Sequence, residues 1–183
     1  SKPVIAPTGK NALVLQYTPQ VQDLRGLNSN IYELFIDVIR LLNDKGYDNI
    51  RFKLHPGPGR WKKYYFAEIA RTFAIRCEIL KTEPFEKCVA WADIVIGPAA
   101  TGAMFETLAA GKPYYAMMLA PNSMSPGFFG DYPINSSVEE LDHALDRAIS
   151  PEIARKLLDD VYSIEQYPNS SERFWQVMQE GFK

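Results

Sequence analysis

Cysteine and histidine are scarce: the 183 residues hold two of each, Cys77, Cys88, His55 and His143. Two cysteines cannot build a disulfide scaffold, and neither stands in a metal-ligand spacing, so no multi-ligand zinc site is expected. No apolar run reaches the ~18 residues that a membrane helix needs, and no signal peptide is recognised at the start of the sequence. Neither charge sign dominates. The 20 Lys and Arg face 22 Asp and Glu, a net charge of −2, where a nucleic-acid-binding domain would carry a broad basic excess. Gly57-Pro58-Gly59 lacks the Lys-Ser/Thr that completes a P-loop, and no G-x-G-x-x-G follows the first predicted strand. Ser123, Ser125 and Ser136 have no nucleophile-elbow setting. These absences predict a cytoplasmic domain with no membrane span, no nucleic-acid partner, no metal and no tightly held cofactor.

What remains is ordinary globular material. Hydrophobic residues make up 46% and charged residues 23%, which excludes a disordered chain. The length suits one domain over residues 1–183. Charge is unevenly placed, however: residues 1–91 carry a balance of +5 and residues 92–183 a balance of −7. Arg51, Lys53, Arg60, Lys62 and Lys63 fall together, with no acidic residue from Asn49 to Ala67. In an acidic protein such a cluster reads either as a local anion site or as a solvated helix start.

Short β-type runs alternate with helical ones. Ala12–Tyr17, Asn49–His55, Arg76–Leu80, Asp93–Gly97 and Pro113–Leu119 are the predicted strands, about five in all, most of them continuously apolar. Helical spacing links them, and after a long loop, Ala120–Ser136, the C-terminal part is helical over 138–149, 151–163 and 171–182. This order predicts a Rossmann-like three-layer α/β/α sandwich with a mainly parallel sheet. Ligands of such sheets sit outside the carboxyl ends of the strands, where the strand order switches. Chemistry is therefore expected in the loops after Tyr17, His55, Leu80, Gly97 and Leu119.

The stretch Gly97–Pro113 is the most informative. A turn of small residues, Pro98-Ala99-Ala100-Thr101-Gly102, leads from a buried strand directly into a helix. Small side chains let a ligand approach the backbone, and a helix N-terminus offers free N–H groups and the positive end of the dipole. Thr101 could donate its hydroxyl to a phosphate or cap the same helix. Glu106 lies about one turn into that helix among Ala, Met, Phe and Leu, either facing solvent or accepting hydrogen bonds from ribose hydroxyls. His55 and Pro56 end the second strand, and Gly57 and Arg60 follow in its turn. Arg25, after the first strand, is a candidate pyrophosphate contact. Phe128-Phe129-Gly130-Asp131-Tyr132 reads as a lid over a base or sugar, or as a surface buried against another domain.

The combination of FKLHP after one strand and DIVIGPAATGAMFETLAAGKPYY around another resembles the C-terminal, donor-binding half of GT-B glycosyltransferases. The branch it is most similar to assembles polysaccharides: capsule biosynthesis proteins, polysialyltransferase-like enzymes and teichoic-acid-type polymerases. The resemblance implies that His55 and Pro56 contact a nucleotide-sugar donor, UDP-, CDP- or CMP-activated. It implies phosphate contacts at Thr101 and Gly102, with the preceding Gly97 and Pro98, and a ribose contact at Glu106. Many relatives carry two hydroxyl residues where this chain has Ala99-Ala100-Thr101. In such enzymes the acceptor site and general base lie in an N-terminal half. The chain is too short to contain one, so no catalytic residue is assigned here and these residues alone are expected to be inactive. If the domain meets the inner membrane face, partners would bring it there. Two other readings remain: the donor domain of an alditol-phosphate transferase using a CDP-activated donor, and a non-catalytic flavodoxin-like module that binds a nucleotide or a partner protein.

Overall fold

The computed structural model of the chain describes residues 11–17, 28–57, 62–99, 101–118 and 126–162. Six parallel strands form one sheet in the order β3-β2-β1-β4-β5-β6. In chain order the elements are β1 (Asn11–Leu15), α1 (Asn28–Asp44), β2 (Asn49–Lys53), α2 (Lys62–Thr72), β3 (Glu78–Leu80), α3 (Phe85–Trp91), β4 (Ile94–Pro98), α4 (Gly102–Ala109), β5 (Tyr114–Met117), β6 (Ile134–Asn135), α5 (Val138–Leu145) and α6 (Pro151–Tyr162). The Rossmann-like α/β sandwich that the sequence predicts is the fold observed.

Two-residue alternation along the strands sorts the core into two layers. Ala12, Val14, Phe52, Ile94, Ile96, Tyr115 and Met117 pack with Phe35, Ile39, Phe66 and Leu141 from α1, α2 and α5. Leu13, Leu15, Val95, Tyr114 and Ala116 pack on the other face with Val89, Met104, Leu108 and Leu157 from α3, α4 and α6. Both faces of the central strands are thus covered, which is why those strands read as unbroken apolar runs.

Strand order reverses between β1 and β4, which pair directly through Ala12–Ile94, Leu13–Val95 and Val14–Ile96. From β1 the chain works outward through β2 to β3; from β4 it works outward through β5 to β6. The switch point therefore lies between the loop after β1 and the turn after β4. Among the described residues, no helix is long and apolar enough to cross a membrane.

The sixth strand lies inside the segment that the sequence presents as a loop. It is only two residues long, held by the N–H of Met118 donating to the Asn135 carbonyl and by the Asn135 side chain donating to the Ala116 carbonyl. Phe129 and Tyr132 are buried in the second core layer, so the aromatic loop around them anchors the sheet edge instead of forming a lid; Phe128 is exposed. The predicted helix 171–182 lies outside the described residues.

Candidate functional site

Three strand ends converge at the carboxyl edge beside the switch point. At β1 the Gln16 N–H donates to the Lys53 carbonyl, and the Gln16 side-chain oxygen accepts the His55 N–H at 3.0 Å. Gln16 thereby fixes the backbone at the end of β2. His55 is exposed, and its Nδ1 accepts the Gly57 N–H at 3.1 Å. With Nδ1 accepting, Nε2 is the ring nitrogen available as a donor. Pro56 is exposed and Gly57 half-buried in the same turn. Arg60 and Arg25 lie outside the described residues.

The described residues on either side of the passage from β4 into α4 are closely packed and hydrogen-bonded. Gly97 is buried, and a Cβ placed on it would come within 2.5 Å of the Tyr114 hydroxyl and 2.9 Å of the Leu15 Cβ. Its small size is therefore demanded by packing from within the sheet. Pro98 offers its carbonyl to the Tyr114 hydroxyl at 2.8 Å and to the Thr101 hydroxyl at 3.3 Å. Thr101 is extended (φ −117°, ψ 152°) and accepts the Met104 N–H at 3.3 Å, the geometry of an N-cap. With Thr101 as cap, the N–H groups of Gly102 and Ala103 are the first of the helix, and neither has a partner among the described residues. Gly102 is exposed.

Glu106 is exposed one turn further along α4, with Oε1 3.7 Å from the position a Cβ on Gly102 would take. Its carboxylate thus leans back along the helix toward the free N–H groups. A phosphate at the helix start and a ribose one turn away would meet complementary partners there.

The basic cluster does not gather into one anion site. Arg51 points to the opposite, amino-terminal edge, where its Nε donates to Glu78 at 2.8 Å and its guanidinium lies 4.0 Å from the Trp91 ring centroid. Lys53 is buried and donates to the Lys81 carbonyl at 2.9 Å. Lys63 is exposed, and Lys62 is half-buried at the start of α2. Arg51 and Lys53, two residues apart, share the α3 face of β2, while Lys62 and Lys63 stand on α2 across the sheet, a separation that composition cannot reveal.

The described surface includes two recesses of different character. One, apolar and about 20 Å³, lies under the switch point between Leu15, Tyr17, Leu34, Phe35 and Pro98; it has room for about one water, so a ligand would lie across the edge instead of entering the core. The other, polar and about 400 Å³, opens at the amino-terminal edge among Asn49, Arg51, Cys77, Glu78 and Trp91. There Arg51 is committed to Glu78 and Trp91, and burial pushes the Cys77 thiol up to about 11, leaving it a poor nucleophile. Among the described residues, no group of three or more His, Cys, Asp or Glu is arranged to hold a metal ion.

No family model matches the sequence, and no curated protein matches it. Solved structures do. The chain is similar to S. aureus MnaA in its structure with UDP, with a TM-score of 0.52 and 14% identity over 85% of this chain and 41% of that one. It is also similar to TarM, with a TM-score of 0.52 and 12% identity over 93% of this chain and 35% of that one. The chain spans well under half the length of either structure. At these identities the likeness is one of fold: a Rossmann-like unit of the GT-B kind.

Proposed function

We propose that the chain is the nucleotide-sugar donor-binding domain of a glycosyltransferase that builds a surface polysaccharide or glycoconjugate. The observation that carries this reading is the α4 N-terminus at the switch point, with the Glu106 carboxylate laid back toward Gly102. The fold shared with MnaA, solved with UDP, supports a uridine nucleotide as the first candidate. The nucleoside diphosphate would lie across the sheet edge, its phosphates on the N–H groups of Gly102 and Ala103 and its ribose on Glu106. His55 Nε2 would donate to the phosphates or the base from the neighbouring strand end, with Pro56 and Gly57 shaping that wall.

In the reaction an acceptor oxygen forms a bond to the anomeric carbon as the bond from that carbon to the phosphate oxygen breaks, and the nucleoside phosphate leaves as an anion. Preorganised N–H groups and the helix dipole stabilise the charge that develops on it. The acceptor and the base that takes its proton belong to a further domain in this reading. The donor would come from the cytoplasm, and contact with the inner membrane face would be made through partners.

Thermal denaturation with UDP, CDP, CMP, GDP and their sugars tests the proposal. A nucleotide present at 100 times its dissociation constant adds about 2.7 kcal/mol of stability. A stabilising shift with one nucleotide and its sugar is the expected result. No shift with any of them sinks the reading.

A further inference from the structure

Tyr114 opens β5 and is fully buried in the second core layer, beside Leu13, Val95 and Met104. A phenylalanine would fill the same volume without bringing a hydroxyl into the core, where an unpaired one is costly. This hydroxyl is not unpaired: it donates to the Pro98 carbonyl at 2.8 Å, within hydrogen-bonding reach of the Thr101 hydroxyl as well. It also occupies the space that a side chain on Gly97 would need. Burial pushes the phenol well above its ordinary range, so it remains a protonated donor at any working pH. A second tyrosine secures the first, because the Tyr132 hydroxyl donates to the Tyr114 carbonyl.

The contacts of the Tyr114 hydroxyl bear on the turn that aims the α4 N-terminus. Pro98 has no N–H of its own with which to hold the turn, and its carbonyl is gripped by two hydroxyls, one from beneath and one from the helix cap. We propose that the Tyr114 hydroxyl is a positioning group: it sets Pro98 and, with it, the Thr101 cap so that the Gly102 and Ala103 N–H groups point at the anion. The proposal rests on the nucleotide-site reading above for its ligand, but its structural half can be read without one.

The experiment compares wild type, Tyr114→Phe and Tyr115→Phe, with UDP as the probe. Tyr115 supplies the matched control: it is the next residue, faces the opposite layer, and its hydroxyl donates to the Arg147 carbonyl at 3.1 Å, away from the turn. Two quantities are read on each folded variant, hydrogen–deuterium exchange of the amides in 99–104 and the dissociation constant for UDP. Tyr114→Phe is expected to speed exchange in the turn while the β1 and β4 amides keep their protection, and to weaken UDP about tenfold. Tyr115→Phe is expected to match wild type in both. Unchanged exchange in the turn overturns the proposal, and so does faster exchange with undiminished UDP affinity. If wild type binds neither UDP nor any other nucleotide, the donor-site reading fails, and the exchange result alone decides whether Tyr114 sets the turn.

Discussion

Glu106 and Gly102 form a pair across one turn of α4, with the Glu106 Oε1 3.7 Å from where a Cβ on Gly102 would stand. The bare glycine leaves the carboxylate exposed at the helix start instead of screened by a neighbour. Glu106→Gln is therefore expected to keep the fold and weaken nucleotide binding about ten- to a hundred-fold, the range of a hydrogen bond to a charged group. Glu139→Ala, on an exposed face of α5, should leave affinity within twofold. Titration calorimetry with a nucleotide and its 2′,3′-dideoxy analogue checks the contact. Equal losses for wild type and Glu106→Gln on going to the dideoxy ligand would show that Glu106 does not touch the ribose.

Gly102→Ala separates folding from binding at the same spot. The added Cβ meets Glu106 at ordinary van der Waals distance, and alanine is the better helix former by roughly 0.5–1 kcal/mol. Stability is expected to hold or rise while nucleotide affinity falls. A melt combined with a binding isotherm reads both, and undiminished affinity would remove Gly102 from the ligand's path.

Gly97→Ala should behave in the opposite way. Its Cβ would collide with the Tyr114 hydroxyl and the Leu15 Cβ, so overpacking should cost about 1–3 kcal/mol by urea denaturation. Combining it with Tyr114→Phe removes one of the two clashing atoms, so the double variant should lose less than the two single losses together. Simple additivity would mean the strand shifts to make room.

Thr101→Ala tests the cap. Losing the hydroxyl that accepts the Met104 N–H should cost about 1 kcal/mol, roughly 2–4 °C of melting temperature, and Thr101→Ser should restore it. A Ser variant as unstable as Ala would show that the methyl group, not the hydroxyl, is what matters.

Alkaline pH probes the tie between α1 and α5. Lys45 lies 2.7 Å from Asp142 and 2.6 Å from Asp146, and its hydrogen bonds to those carboxylates raise its pKa above the ordinary 10.5. A raised lysine contributes stability that is fully present below 10.5 and fades as pH climbs through the raised value. The stability gap between wild type and Lys45→Met should thus be constant near neutrality and shrink at strongly alkaline pH. A gap that persists there would assign the effect to packing of the lysine stem.

Periodicity and punctuation make most of the fold legible. Continuous apolar runs at 12–15, 94–97 and 114–117 announce strands covered on both faces, and Gly111, with φ +72°, ends α4 as its position suggests. Two features escape such a reading. Ile134–Asn135 is too short to show an alternation, and its pairing comes from the Ala116 and Met118 backbones, which no local pattern records. At the site, Glu106 stands out as a charge within an apolar helix, and Thr101 as the hydroxyl of the small-residue turn before it. Gln16 and Tyr114 do not. The Gln16 side chain acts through a hydrogen bond to a residue 39 positions away. Tyr114 is one more aromatic in a buried strand until its hydroxyl is set against the Pro98 carbonyl.

Strand length along the sheet runs 3, 5, 5, 5, 4 and 2 residues from β3 to β6, so both borders are the shortest members. A border strand this short presents few unsatisfied backbone groups to a neighbouring molecule, and it gives a stray strand too little length to grip. The tapering sheet therefore guards against edge-to-edge accretion at high concentration. Lengthening β6 by replacing the proline that precedes it, Pro133, would trade some of that protection for a firmer border.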